Sequence, residues 1–195
     1  MRKAKISRKT KETDVKLELE LDGKGSYEIK TPVPFLSHML ELFSKHGLLD
    51  MKLKAKGDTR VDDHHLVEDA GICLGLALKK ALGAKKGLER YGYILLPMDE
   101  TLTEVCLDLS GRPYLVFNVV FGKDYKKSGF DFNLVEEFFR AVCYNAGITL
   151  HVTLKYGKNN HHIAESIFKG FAKALCSAAR VNKRVRGVPS SKGEL

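Results

Sequence analysis

The unit His-His-x-x-Glu occurs twice in this chain, as His64-His65-Leu66-Val67-Glu68 and, 97 residues later (161 minus 64), as His161-His162-Ile163-Ala164-Glu165. A repeat at about half the chain length constrains the fold strongly, because it requires two copies of one structural unit. The hydrophobic pattern agrees. Residues 14–21 alternate apolar and polar, the period of a half-buried strand, and Asp22-Gly23-Lys24-Gly25 carries hairpin-turn chemistry, so a strand pair is expected to open the fold. Phe35, Leu36, Met39, Leu40, Leu42 and Phe43 fall on helical spacing up to Gly47, residues 51–57 alternate again, and 66–82 reads as a second helix. The second half predicts strands over 102–109 and 114–121 around Ser110-Gly111-Arg112-Pro113, a helix over 134–145 closed by Gly147, a strand over 148–156 and a helix over 163–179. Both halves therefore run strand, strand, helix, strand, helix, and each His-His-x-x-Glu unit opens the last helix of its half. The expected class is α/β (α+β), with one domain over 1–195 made of two repeat halves, about 1–90 and 91–195.

Composition narrows the function classes. A chain of 195 residues can bury roughly 70% of the surface its unfolded form exposes, and 44% hydrophobic residues exclude disorder as the main state. No stretch approaches the roughly 20 apolar residues of a membrane span, and Met1-Arg2-Lys3-Ala4-Lys5 leads into polar sequence instead of a signal-peptide core. The expected location is cytoplasmic. Cys73, Cys106, Cys143 and Cys176 form no Cys-x-x-Cys pair and read as buried small hydrophobes. The net charge of +9 raises nucleic acid as a partner. Its lysines are scattered with little aromatic interleaving, however, which favours a solvated basic surface.

Four of the seven histidines lie in the two repeated units. On a helix His64 and Glu68 share a face while His65 points elsewhere. Adjacent imidazoles do not easily reach one ion, so the repeat predicts two metal sites, each drawing imidazole and carboxylate from different places. That donor mixture suits Mn²⁺, Fe²⁺, Co²⁺ or Zn²⁺, and the lack of thiolate argues against structural zinc. His38 precedes its doublet by 26 residues (64 minus 38), and Glu137 precedes the other by 24 (161 minus 137), so these two stand at nearly matching positions of the repeat. His46 and His151 have weaker claims, and His151 reads as a satisfied structural histidine. The basic tail from Asn182 to Gly193 is expected to be irregular, either a frayed end or an anion clamp.

These residues resemble imidazoleglycerol-phosphate dehydratase of histidine biosynthesis over nearly the whole chain. The resemblance rests on two long stretches, Val61 to Leu74 and Gly157 to Lys169. Shorter ones support it: Arg8 to Thr13, Pro34 to Leu40, Asp108 to Pro113 and Pro189 to Gly193. It implies two four-stranded sheets enclosing a helical layer, a homo-oligomer of 24 subunits with active sites between subunits, and two Mn²⁺ per site. The metal ligands it implies are His38, His64, His65, Glu68, His161, His162 and Glu165, with Glu137 standing where many family members have His. Catalysis would involve Glu12, His64, Glu68, His161 and Glu165. Substrate contacts would come from Glu12, His38, His46, Arg90, Arg112, Lys169, Ser190, Ser191 and Lys192.

The reaction so implied turns imidazole-glycerol phosphate into imidazole-acetol phosphate, with no nucleic acid or membrane partner. It removes a proton from a carbon that has no adjacent carbonyl, so the imidazole ring must accept the electrons. Cations on its nitrogens favour an imidazolate that expels the neighbouring hydroxyl, and Glu12 is a carboxylate able to move the proton. The phosphate needs fixed cations and donors. Two other classes stay open: a basic RNA-binding module, which leaves the histidine units unexplained, and a two-metal phosphoester hydrolase.

Overall fold

The structure, a computed structural model, describes residues 2–122 and 129–195. The first half contributes β1 (Lys3–Lys9), β2 (Thr13–Glu20), β3 (Tyr27–Lys30), α1 (Pro34–Gly47), β4 (Asp50–Gly57) and α2 (His64–Leu82). The second contributes β5 (Tyr91–Met98), β6 (Thr101–Asp108), β7 (Tyr114–Asn118), α3 (Leu134–Ala146), β8 (Thr149–Tyr156) and α4 (Asn160–Ala178). Every helix and strand expected from periodicity is present within a few residues. Each half also holds an opening strand, β1 or β5, that the pattern did not reveal. Both are edge strands. β1 buries only Ala4, and β5 is a nearly continuous apolar run broken by Gly92 and Pro97, a composition tolerated at an edge.

The sheets have the orders β1-β2-β4-β3 and β5-β6-β8-β7. The strand pair that opens the fold is β1 with β2, antiparallel, not the hairpin expected across Asp22-Gly23-Lys24-Gly25. β4 separates β2 from β3 because this turn is clamped to the start of β4. Asp50 Oδ1 accepts the backbone N–H groups of Lys24 and Ser26 at 2.8 and 2.9 Å, and Met51 N–H donates to Ser26 O at 2.9 Å. β3 then pairs with β4 in parallel. The Ser110 to Pro113 turn likewise carries the chain across β8, with Tyr114 N–H donating to Ile148 O at 3.1 Å.

Strand alternation gives each sheet one apolar face. Val15, Leu17, Leu19, Met51 and Leu53 are no more than 2% exposed, and Thr103, Val105, Leu150 and Val152 are fully buried in the second sheet. Each such aliphatic side chain stabilises the fold by about 1.5–3 kcal/mol. The helices lie between the two faces: α2 on β1 and β2, α1 on β3, α4 on β5 and β6, and α3 on β7. α1 packs on α4 and α2 on α3, so the helical layer is two helices deep. Phe43, Phe139, Phe168 and Phe171 fill its centre, with ring centroids 4.9–5.6 Å apart in the contacting pairs.

The outer faces differ. The first carries lysine–glutamate pairs, Lys3 with Glu20 and Lys5 with Glu18, each at 2.7 Å. The second exposes Tyr91, Tyr93, Leu95, Tyr114 and Tyr156. Cys73 and Cys143 are buried, and burial pushes their thiols up to about 11 and about 12. Cys106 and Cys176 are only half-buried, which corrects the expectation of four buried cysteines. Among the described residues no helix is long and apolar enough to cross a membrane.

α2 approaches α3 through Gly71 and Gly75. A Cβ on Gly75 would lie 2.7 Å from Val142 O and from Asn145 Cβ, and one on Gly71 would lie 2.7 Å from Phe138 O. Gly→Ala in an open helix stabilises by up to about 1 kcal/mol. Gly75→Ala is therefore expected to show the opposite sign, a loss of about 1–3 kcal/mol from overpacking, measured by chemical denaturation.

Candidate active site

Both histidine doublets sit on the first turn of a helix, and matching side chains fix their backbones. Asp62 Oδ1 accepts His64 N–H and Asn159 Oδ1 accepts His161 N–H, each at 2.9 Å. Within each doublet the rings stand 6.3 Å apart and close to perpendicular, at 85° and 90°. The two members of a doublet therefore point to different places, as helical geometry requires.

In the second half the first member turns toward α1. His161 Nε2 lies 3.1 Å from Glu165 Oε2, one turn along α4, and His38 Nε2 of α1 lies 3.7 Å from the same oxygen. These three side chains offer ligand atoms within 4.8 Å of one another. Lys169, a further turn along α4, forms an ion pair with Glu165 Oε1. Burial would raise the Glu165 carboxyl, but Lys169 and His161 outweigh it and hold the group below the ordinary carboxylate value. His46, two turns beyond His38, faces the same stripe, and burial with Lys169 and Lys173 lowers its imidazole below the usual range. The structure thus brings the candidate site residues His38, His46, His161, Glu165 and Lys169 into one neighbourhood.

The second member, His162, is held by a residue the sequence reading missed. Glu100, in the β5–β6 turn, accepts His162 Nδ1–H at 2.7 Å. Its other oxygen accepts the backbone N–H groups of Asn159 and Lys158 at 2.9 and 3.2 Å. The imidazole and these amides keep the Glu100 carboxyl well below the usual range. In the first half His65 Nδ1 lies 3.2 Å from Asp58 Oδ1 and 3.9 Å from Glu12 Oε2. Those three form the other convergent donor group, and the Asp58 hydrogen bond raises the His65 imidazole.

Other expected residues are not brought together in this chain. His64 is half-buried and Glu68 exposed. Among the described residues neither forms an ion pair, and Glu137 pairs with Arg140 Nε at 3.6 Å. Glu137 is nonetheless the structural counterpart of His38. α1 ends with Leu48 and Leu49 N–H on Ser44 O, and α3 ends with Gly147 and Ile148 N–H on Cys143 O, an offset of 99 residues that carries 38 onto 137. His151 lies exposed on the outer face of the second sheet, between Cys106 and Val116. It is not the satisfied structural histidine expected, because the β8 register turns it away from the helices.

The residues expected to bind the phosphate gather elsewhere. Arg90 Nε and Nη2 donate to Asp108 at 2.7 and 3.1 Å, and Nη1 donates to Pro189 O at 2.8 Å. The tail is anchored there rather than frayed. Gly87 N–H donates to Gly187 O at 2.7 Å and Asn182 N–H to Gly87 O at 2.8 Å. Leu195 lies against Gly111, beside the exposed Arg112. Arg90, Arg112 and the segment with Ser190, Ser191 and Lys192 thus share one end of β5 and β6. Glu100 and His162 meet at the other end. At about 3.4 Å per residue the length of β5 separates the two ends by roughly 25 Å.

Comparison with known proteins follows the same lines. The family described as imidazoleglycerol-phosphate dehydratase matches residues 31–175. The imidazoleglycerol-phosphate dehydratase of Acetivibrio thermocellus is 56% identical over 194 residues, covering 100% of this chain and 99% of its own. The crystal structure of the Staphylococcus aureus enzyme superposes with a TM-score of 0.83 at 42% identity, over 92% of this chain and 99% of that one. That of the Pyrococcus furiosus enzyme, in complex with (S)-C348, superposes with a TM-score of 0.81 at 37% identity, over 97% and 100%. With matches this complete in sequence and in fold, the chain belongs to the imidazoleglycerol-phosphate dehydratase family, whose members are lyases of histidine biosynthesis.

Proposed function

We propose that this chain dehydrates imidazole-glycerol phosphate to imidazole-acetol phosphate at a site that takes two Mn²⁺ and is completed between copies of the chain in a homo-oligomer, 24 subunits by family resemblance. The observation that carries the reading is the convergence of His38, His161 and Glu165 from two helices, with donor atoms within 4.8 Å. Two imidazoles, a carboxylate and no thiolate make a donor set that fits Mn²⁺. The proposed ligands are His38, His64, His65, Glu68, Glu137, His161, His162 and Glu165. Bound there, the metal supplies Lewis acidity to the substrate's imidazole ring and a template for its orientation.

The protein's own groups do the rest. Arg90, Arg112, Ser190, Ser191 and Lys192 bind the phosphate, and Asp108 and the Pro189 carbonyl hold the Arg90 guanidinium in place. Glu12 is exposed in the β1–β2 turn, and its side chain accepts no hydrogen bond among the described residues. It is therefore suited to moving the proton of the barely acidic carbon. Lys169 and His46 flank the Glu165 end. A single chain separates its phosphate-binding and metal-binding ends by roughly the 25 Å length of β5, further than a glycerol phosphate bearing one imidazole can span. That distance supports a site shared between copies, and the exposed tyrosines of the second sheet offer apolar surface for association.

The direct test is to incubate Mn²⁺-loaded protein with imidazole-glycerol phosphate. Ketone formation without release of inorganic phosphate is expected, whereas phosphate release would identify the two-metal hydrolase instead. In the same assay Glu165→Gln and Glu68→Gln are expected to lose turnover while staying folded, since the amide keeps the shape and loses the charge. Wild-type rates in either variant would remove that residue from the ligand set.

Chelation is expected to yield smaller species by light scattering, because metal that binds only the assembled state shifts the equilibrium toward it. An unchanged mass after complete metal removal would contradict that coupling. Truncation before Pro189 removes Ser190, Ser191 and Lys192 and leaves every proposed ligand in place. The truncated enzyme is expected to keep its metal and lose kcat/KM by several orders of magnitude, with Lys192→Ala costing about 2 kcal/mol. Unaltered steady-state kinetics would show that the tail does not hold the phosphate.

A further inference from the structure

The β1–β2 and β5–β6 turns are equivalent. Each ends in glutamate, Thr10-Lys11-Glu12 and Asp99-Glu100, with the glutamates 88 residues apart (100 minus 12), and each is followed by a buried threonine, Thr13 or Thr101. Each glutamate lies beside the second histidine of its own half. The duplication thus supplied the same carboxylate–imidazole neighbourhood twice, yet the two copies are wired differently. In the second half Glu100 takes His162 Nδ1 at 2.7 Å. In the first half Asp58, at the end of β4, takes His65 Nδ1 at 3.2 Å, and Glu12 stands off at 3.9 Å.

The reason lies in the residue that follows each strand. Gly57 and Gly157 are counterparts, Gly57 lying against Thr13 and Leu66 and Gly157 against Thr101 and Ile163. The next residue is Asp58 in the first half and Lys158 in the second. A lysine offers no carboxylate to an imidazole N–H, so in the second half the turn glutamate performs that task.

We infer that Asp58 and Glu100 are matched positioning residues, which hold the Nδ1–H of His65 and His162 and so leave each Nε2 lone pair for a metal ion, and that the presence of Asp58 is what leaves Glu12 unengaged. This assignment rests on the dimetal reading proposed above. A neutral imidazole has one N–H and one lone pair, so a carboxylate on Nδ1 fixes which nitrogen can ligate. Glu100 is rigidly placed for this by the Lys158 and Asn159 amides. Asp99 Oδ2 lies 3.8 Å from His162 Nε2. Glu12 has none of the backbone contacts that Glu100 has.

The test uses isosteric amides. In Glu100→Gln the amide oxygen can still accept the two backbone N–H groups, but its NH₂ can only donate to Nδ1, which moves the ring proton to Nε2 and blocks the lone pair. Asp58→Asn does the same to His65. Wild-type, Glu100→Gln, Asp58→Asn and Glu12→Gln proteins are titrated with Mn²⁺ and the bound fraction is read by electron paramagnetic resonance, with circular dichroism as the check on folding. The first two variants are expected to bind Mn²⁺ some 10–100-fold more weakly at the affected site with an altered spectrum of the bound ion. Glu12→Gln is expected to bind as wild type and to lose turnover. Because the two positioning variants lie in different halves, failure of one to fold leaves the other to decide. Wild-type affinity and spectrum in a folded Glu100→Gln or Asp58→Asn protein would overturn the assignment while the dimetal reading stood, and a wild-type protein that takes up no Mn²⁺ would overturn both.

Discussion

Two sheets, each with one apolar face, are the constraint on which everything else rests. Leu17 and Leu53 in the first sheet and Val105 and Val152 in the second point inward, while their neighbours along each strand point to solvent. Exposing either face would be costly at roughly 25 cal/mol per Å², and four amphipathic helices are the available cover. Once the helices are sandwiched, α1 must meet α4 and α2 must meet α3. The first turns of α2 and α4 then emerge beside the β1–β2 and β5–β6 turns. The two histidine doublets sit on these rims, where the close-packed interior fixes their backbones and leaves the imidazoles half-buried.

Duplication supplied the scaffold twice, and divergence made the halves chemically unequal. Glu165 is 7% exposed and paired with Lys169. Glu68 is exposed, and the residue 97 positions before Lys169 is Ile72. His38 faces Glu165, whereas its counterpart Glu137 pairs with Arg140. A buried carboxylate beside a lysine and an imidazole is held ionised by those neighbours. The outer faces diverged too, one to lysine–glutamate pairs and the other to exposed tyrosines.

The helices and the strands other than β1 and β5 were legible because hydrophobic period and turn chemistry are local properties. β1 and β5 were not, since an edge strand needs little apolar surface of its own and borrows its stability from the neighbour it pairs with. The false hairpin at Asp22 to Gly25 has the same origin. Turn chemistry reports that the chain reverses, not which strand it will lie beside, and Asp50 decided that from 24 and 26 residues away. Glu100 escaped notice because the turns repeat at 88 residues and the doublets at 97, the difference reflecting unequal loops.

By itself the sequence determined the twofold repeat, the helical faces and the donor types. It also placed His161 and Glu165 on one helix face, because i and i+4 adjoin on any helix. Only the tertiary structure decided the partners separated by long stretches of chain. Glu100 meets His162 across 62 residues, His38 meets Glu165 from another helix, and Pro189 meets Arg90 across 99. Those contacts depend on strand order and helix stacking. Both are set by the burial of whole faces, a sum over many residues that no short stretch of sequence contains.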